Sequence, residues 1–155
     1  MGVMLACAHA GRPRPQAPTS SVPSPEIETR AGLSREEGFA IVDTALEYPR
    51  RHHAPMDCSH LVNRIYDRAG FPYGYATSRQ IFEGAPGFIL VPRAQAGDLV
   101  AWRGHVGIVV DPARHSFYSS LRSGPGVDNY QSAYWRGRGQ PRFFRYVPPS
   151  SAKLR

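Results

Sequence analysis

The feature that most constrains this chain is a change of period partway along it. Between Ser34 and Gly84 the apolar residues recur at helical spacing, whereas from Asp98 onward they fall in short runs between turn residues. Ser34-Arg-Glu-Glu37 has the form of a capping box, with Ser34 as N-cap and Glu37 reaching back. Ile41, Val42, Ala45 and Leu46 then share one face, and the Tyr48-Pro49 pair ends the run, which predicts a helix over 35–47. A second helix starts near Asp57, with Leu61, Val62, Ile65, Tyr66 and Ala69 as its buried stripe and Gly70 as its stop. Thr77-Ser-Arg-Gln80 opens a short third helix that closes at Gly84. Asp98–Trp102, His105–Val110, Ser116–Ser120 and Phe143–Val147 read as strands, punctuated by Gly104, Asp111-Pro112 and Gly124-Pro-Gly126. Helices first and an antiparallel meander second define an α+β domain.

That domain occupies residues 31–155. At 155 residues the chain holds one domain and a lead, and roughly 120 residues can bury a core without metal or disulfide staples. No run of 18 apolar residues occurs, and two cysteines exclude a disulfide scaffold. Residues 1–30 differ in composition: five prolines lie between Gly11 and Arg30 among Ser, Thr, Gln and Ala, which predicts a disordered linker. Before it, Leu5-Ala6-Cys7 resembles the end of a bacterial lipoprotein signal, which would make Cys7 a lipidated membrane tether. Only six residues precede Cys7, too few for a charged and then an apolar signal region, so the tether requires a start upstream of Met1. A plain disordered tail is the alternative.

The net charge is +7, and all cations but Lys153 are arginines. Such a balance favours anionic partners. No run of basic residues interleaved with aromatics marks a nucleic-acid site, and none is expected.

The chemistry concentrates at Asp57-Cys58-Ser59, where an amphipathic helix begins. Helix-terminal N–H groups and the helix dipole favour an anion there, so the Cys58 thiol is expected to have a lowered pKa and to act as a nucleophile. A nucleophile needs a base, and His105 opens an apolar strand, His105-Val-Gly-Ile-Val-Val110. Taken alone, a single Cys and a single His are more often a buried small side chain and an ordinary histidine. His52, His53, Cys58, His60 and His105 match no common metal spacing, so no metal and no cofactor is expected. Trp102 and Trp135 are read as core residues, and Tyr73-Gly-Tyr75 as a loop whose aromatics could line a cleft. A Cys7–Cys58 disulfide would consume the proposed nucleophile.

Four segments in order resemble the NlpC-type cell-wall cysteine peptidases, which have a papain-like core. They are Met56-Asp-Cys-Ser-His-Leu-Val62, Ala96-Gly-Asp-Leu-Val-Ala-Trp102, His105-Val-Gly-Ile-Val-Val110, and Tyr134-Trp135 followed by Arg142-Phe-Phe-Arg145. The resemblance implies N-terminal helices packed on an antiparallel sheet, with Cys58 as nucleophile and His105 as its general base and then acid. The backbone N–H of Cys58, with that of Ser59, would form the oxyanion hole. It implies that Asp57 and Ser59 hold a free substrate amine, with Tyr48 as the loosely matched tyrosine upstream. Ser119 falls where the family carries the His, Asn or Gln that orients the catalytic histidine. Because Ser119 is short, it is expected to reach His105 through a water or not at all, with His115 as the fallback.

Two further departures touch the cleft. The family's glycine after Asp-Cys-Ser is His60 here, and Pro49-Arg-Arg-His-His-Ala-Pro55 replaces a glycine-rich turn. The implied function is a peptidoglycan hydrolase that cleaves an amide bond in stem peptides, the D-γ-glutamyl to diamino acid bond above all, through an acyl-enzyme. It would be extracytoplasmic and monomeric. The alternatives are an N-acetylmuramoyl-L-alanine amidase or an acyl transferase using the same Cys58–His105 pair, or a peptidoglycan-binding module without turnover.

Overall fold

The computed structural model describes residues 32–48 and 56–149. The lead with Cys7, the segment 49–55 with His52 and His53, and Lys153 lie outside the described residues. Helix α1 spans Arg35–Leu46, α2 Cys58–Arg68 and α3 Ser78–Gly84. Strand β1 covers Phe88–Val91, β2 Leu99–Trp102, β3 His105–Asp111, β4 Ser116–Leu121 and β5 Gly124–Asn129. A one-turn helix α4, Ala133–Gly137, precedes β6, Arg142–Tyr146.

Both capping boxes form as their sequences dictate. The Ser34 hydroxyl accepts from the Glu37 amide, and the Glu37 carboxylate accepts from the Ser34 amide at 2.9 Å. Thr77 and Gln80 repeat the arrangement at α3. Each reciprocal pair satisfies two N–H groups that a helix start otherwise leaves bare.

The six strands form one antiparallel sheet in the order β1-β6-β2-β3-β4-β5. The expected meander therefore holds from β2 to β5, but β6 returns to lie between β1 and β2. Alternation along the central strands sends residues to two cores. Leu99, Ala101, Val106, Ile108 and Tyr118 face the helices and pack with Ile41, Leu61, Ile65 and Tyr66. Val100, Trp102, Val109 and Phe117 face the other way and pack with Tyr130 and Trp135. The fold is thus α+β, as the period change predicts, with a sheet buried on both faces at its centre.

The predicted stripe of α2 is buried at Leu61, Val62, Ile65 and Tyr66, and Ala69 is half-buried. In α1, Ile41, Val42 and Ala45 are buried, but Leu46 is 49% exposed. Ala45 and Tyr48 beside it are buried in the core, so Leu46 lies on the solvent side of that last turn. Helix α1 crosses the Ala96-Gly97 turn at close range. A Cβ on Gly38 would run into the Ala96 carbonyl, and one on Gly97, whose φ is +88°, would lie 2.5 Å from the Gly38 Cα. Both glycines are needed for that backbone-to-backbone approach. The adjoining Asp98 is fully buried and paired with Arg145, whose Nε and Nη2 donate to its two oxygens at 3.0 and 2.9 Å.

Candidate active site

Asp57 is the N-cap of α2 and has an extended backbone. Its Oδ1 accepts from the His60 amide at 2.9 Å and from the Ser59 hydroxyl at 3.0 Å. Cys58 is therefore the first helical residue, at the end where amide N–H groups lack intrahelical acceptors. A second tie fixes the approach to it: the Ser120 hydroxyl of β4 donates to the Met56 carbonyl at 2.7 Å.

The expected lowering of the Cys58 pKa is not what this site produces. Burial pushes the thiol above its ordinary value, and the nearby Asp57 carboxylate pushes the same way. The amides of Val106, Ser59 and Cys58 itself pull in the opposite direction and are outweighed. The half-buried sulfur is thus held as a thiol. Those same amides surround it with donors that could meet an oxyanion.

The Val106 amide that reaches the sulfur is joined to His105 by one peptide bond, so α2 and β3 bring the two residues to the same place. The His105 ring lies against Trp135, with centroids 4.7 Å apart, and further from Trp102, at 6.2 Å. Burial and the Arg138 charge pull its pKa down from 6.5 to about 4, so the imidazole is neutral at pH 7. No hydrogen bond joins it to the sulfur among the described residues.

Ser119 reaches His105 directly, against the expectation of a bridging water. Its hydroxyl is 2.9 Å from Nε2 and also donates to the Val106 carbonyl at 2.7 Å. A hydroxyl has one proton. Since Val106 takes it, Nε2 must be the donor in the contact with Ser119. The ring is then the Nε2–H tautomer, and Nδ1 is left as the unprotonated nitrogen. His115, the fallback, precedes β4 at the far end of the β3–β4 hairpin, where it packs edge-on against Tyr130. At about 3.4 Å per residue it is roughly 20 Å from His105 along the strand.

The residues expected to bind substrate separate into two groups. Ser59 is buried beside Cys58, and Asp57 and His60 are exposed. His60 does not fill the cleft: its Nδ1 contacts Asp57 Oδ2 at 2.7 Å, and its ring stacks on Tyr75 at 4.4 Å. Tyr48 is not part of this group. It is buried in the helix-side core with the Arg68 guanidinium 5.8 Å from its ring centre. Arg68 ends α2, about 15 Å from Cys58 at the helical rise. The tyrosine beside the nucleophile is Tyr75, whose hydroxyl lies 3.4 Å from the Ser59 hydroxyl and 3.3 Å from His60 Nδ1.

On the other side of His105 a cleft of about 670 Å³ is lined by Ser120, Arg122, Asp128, Tyr134, Trp135 and Arg138. Trp135 is a core residue, as expected, and also a wall of this cleft; its Nε1 donates to Asp128 at 2.8 Å. Neither the five residues of α4 nor its C-cap, Arg138, has enough period to announce Trp135 or Arg138 as site residues, although Tyr134-Trp135 is among the resembling segments.

No protein-family model matches the sequence, and no curated protein matches it. The fold is similar to that of a solved Staphylococcus aureus subsp. aureus Mu50 protein described as similar to a lipoprotein of the NLP/P60 family. The TM-score is 0.57 and the identity 23%, over 79% of this chain and 45% of that one. This chain therefore spans less than half of that protein's length. The likeness is one of fold: an α+β domain resembling the NlpC/P60 architecture.

Proposed function

We propose that this chain is a cysteine hydrolase of the bacterial cell wall that cleaves an amide bond in peptidoglycan stem peptides. The observation that carries the reading is the arrangement around His105. Ser119 holds Nε2–H, Nδ1 is left free to accept a proton, and the adjoining peptide reaches the Cys58 sulfur. The resembling segments imply the substrate class, and the likeness of fold is in keeping with it.

In this mechanism the resting pair is thiol and imidazole rather than thiolate and imidazolium. Cys58 gives its proton to His105 Nδ1 as the sulfur attacks the carbonyl. The Cys58 and Ser59 amides stabilise the oxyanion. The imidazolium then protonates the leaving amine, and water, deprotonated by His105, releases the acyl group. Ser119 keeps the ring in the productive tautomer throughout. The bond that the resemblance favours is D-γ-glutamyl to diamino acid. A specific observation keeps the N-acetylmuramoyl-L-alanine amidase reading beside it. Asp57 already accepts three hydrogen bonds from its own chain, which leaves it poorly available to a free substrate amine.

The proposed location is outside the cytoplasm, through a lipidated Cys7. No helix of the described residues is long and apolar enough to cross a membrane.

The test is incubation of the full chain with purified peptidoglycan and defined muropeptides, beside Cys58→Ala, with products read by mass spectrometry. Fragments made by the wild type alone establish hydrolysis, and their masses name the bond. No turnover by a folded protein across several wall chemotypes overturns the reading.

A further inference from the structure

The polar groups on the two sides of the Cys58–His105 pair differ in what they leave for a substrate. On the helix side the acid is occupied. Asp57 Oδ1 accepts from the His60 amide and the Ser59 hydroxyl, and Oδ2 is 2.7 Å from His60 Nδ1. A cationic substrate group would have to displace His60, which is also held by stacking on Tyr75.

On the cleft side the cations are available. Arg122, on the β4–β5 turn, and Arg138, just after α4, both line the cleft beside His105 and are exposed. Neither has an acidic partner among the described residues. Arg138 lies over the Trp135 ring at 5.4 Å and donates to the Tyr134 hydroxyl at 3.3 Å, which orients its guanidinium without neutralising it. The one acid in the lining, the Asp128 carboxylate, brings a negative charge but pairs with neither arginine; its oxygens accept from Trp135 Nε1 and from the Asn129 amide. With two guanidinium groups against one carboxylate the cleft keeps a net positive charge, and its unpaired guanidinium groups select for a carboxylate, which matches their planar donor geometry.

We propose that Arg122 and Arg138 form an anion subsite beside His105 that binds a free carboxylate of the substrate close to the scissile carbonyl. This rests on the hydrolase reading for the nature of the substrate. A γ-linked glutamyl residue presents such a group, because its α-carboxylate remains free while its side-chain carbonyl forms the amide. The subsite would then separate wall peptides by the state of that carboxyl: free glutamate is accepted and its amidated form is disfavoured.

Binding is measured on the full-length Cys58→Ala protein, so that the result does not depend on turnover. The probes are L-alanyl-γ-D-glutamyl-diaminopimelate and the same peptide with the glutamyl α-carboxyl converted to the carboxamide, titrated by calorimetry at low and high salt. The carboxylate form is expected to bind on the order of tenfold more tightly at low salt, with the ratio shrinking as salt rises. Arg122→Gln and Arg138→Gln should each move the ratio toward one, and Arg138→Lys should restore part of it. A merely structural role for Arg138 would weaken both peptides alike and leave the ratio intact. Arg114→Gln removes one charge at the opposite end of β3 and should keep the wild-type ratio. Equal affinity for the two peptides, failure to bind either, or a ratio unmoved by both arginine variants would overturn the subsite. Discriminating binding without turnover in the Cys58 protein would retain the subsite and overturn the hydrolase, whereas turnover without discrimination would do the reverse.

Discussion

Replacing Ser119 with Ala would leave the His105 Nε2–H without its acceptor in a buried place. An unmet buried donor costs about 1–3 kcal/mol. The ring would then be free to turn or to take the other tautomer, and kcat on a stem peptide should fall by about tenfold or more while circular dichroism stays that of the wild type. An unchanged kcat would remove Ser119 from any positioning role. The protonation state of the resting pair is equally open to measurement. Because burial raises the Cys58 thiol and lowers His105 to about 4, iodoacetamide should label Cys58 slowly below neutral pH and faster as pH rises through the thiol's range. The acid limb of kcat/KM should fall near pH 4, where His105 takes up its proton. Fast labelling at pH 5 would mean that the pair rests as thiolate and imidazolium. Sequence alone favours that state, since position at a helix start is visible in the letters and burial is not. Ser119 shows the same limit: its identity and place in the strand were legible, but the neighbouring Val106 carbonyl that fixes its proton was not.

Among the elements, α1 depends on two glycines, its own Gly38 and Gly97 of the Ala96-Gly97 turn, that meet backbone to backbone. Gly38→Ala would force backbone apart from backbone, because the atom it meets is a carbonyl and not a flexible side chain. The cost should be about 1–3 kcal/mol despite the better helix propensity of alanine, read as a lower urea midpoint. A more stable variant would mean that α1 does not sit on that turn. Strand β6 contributes Arg145 to the same corner. Arg145→Leu would strand the buried Asp98 carboxylate and should cost about 3–5 kcal/mol, whereas replacing both partners with apolar residues should recover much of the loss. The elements with strong local signals were readable from sequence: two capping boxes, the α2 stripe and the three apolar central strands. The missed elements are the two edge strands and one-turn α4. Phe88–Val91 is only four residues long and leaves Leu90 63% exposed, and β5 opens with Gly-Pro-Gly, which reads as a turn. An edge strand tolerates such a proline because one side of it needs no ladder partner.

For the molecule as a whole, His105 links the site to stability. Its proton affinity is near 6.5 when unfolded and about 4 when folded, so above pH 6.5 neither state binds the proton. As pH falls from 6.5 toward 4 the unfolded chain is protonated first, and stability drops. Urea midpoints of the wild type should therefore decline across that window relative to His105→Gln, and parallel curves would refute the shift. The pairing of distant segments was legible only in outline. Helices before strands fixed the class, but nothing in residues 142–146 announces that β6 inserts between β1 and β2, because strand order depends on which apolar faces meet in space. The same long-range geometry gives Ser119 and Ser120 their joint importance. These neighbours on β4 hold, respectively, the ring of His105 and the carbonyl two residues before Cys58. A single strand, second from the edge of the sheet, thus serves as the datum for both halves of the proposed reaction. When the sheet breathes, displacements of β4 are common-mode: nucleophile and base are carried together, and their alignment is exposed only to the difference between their motions.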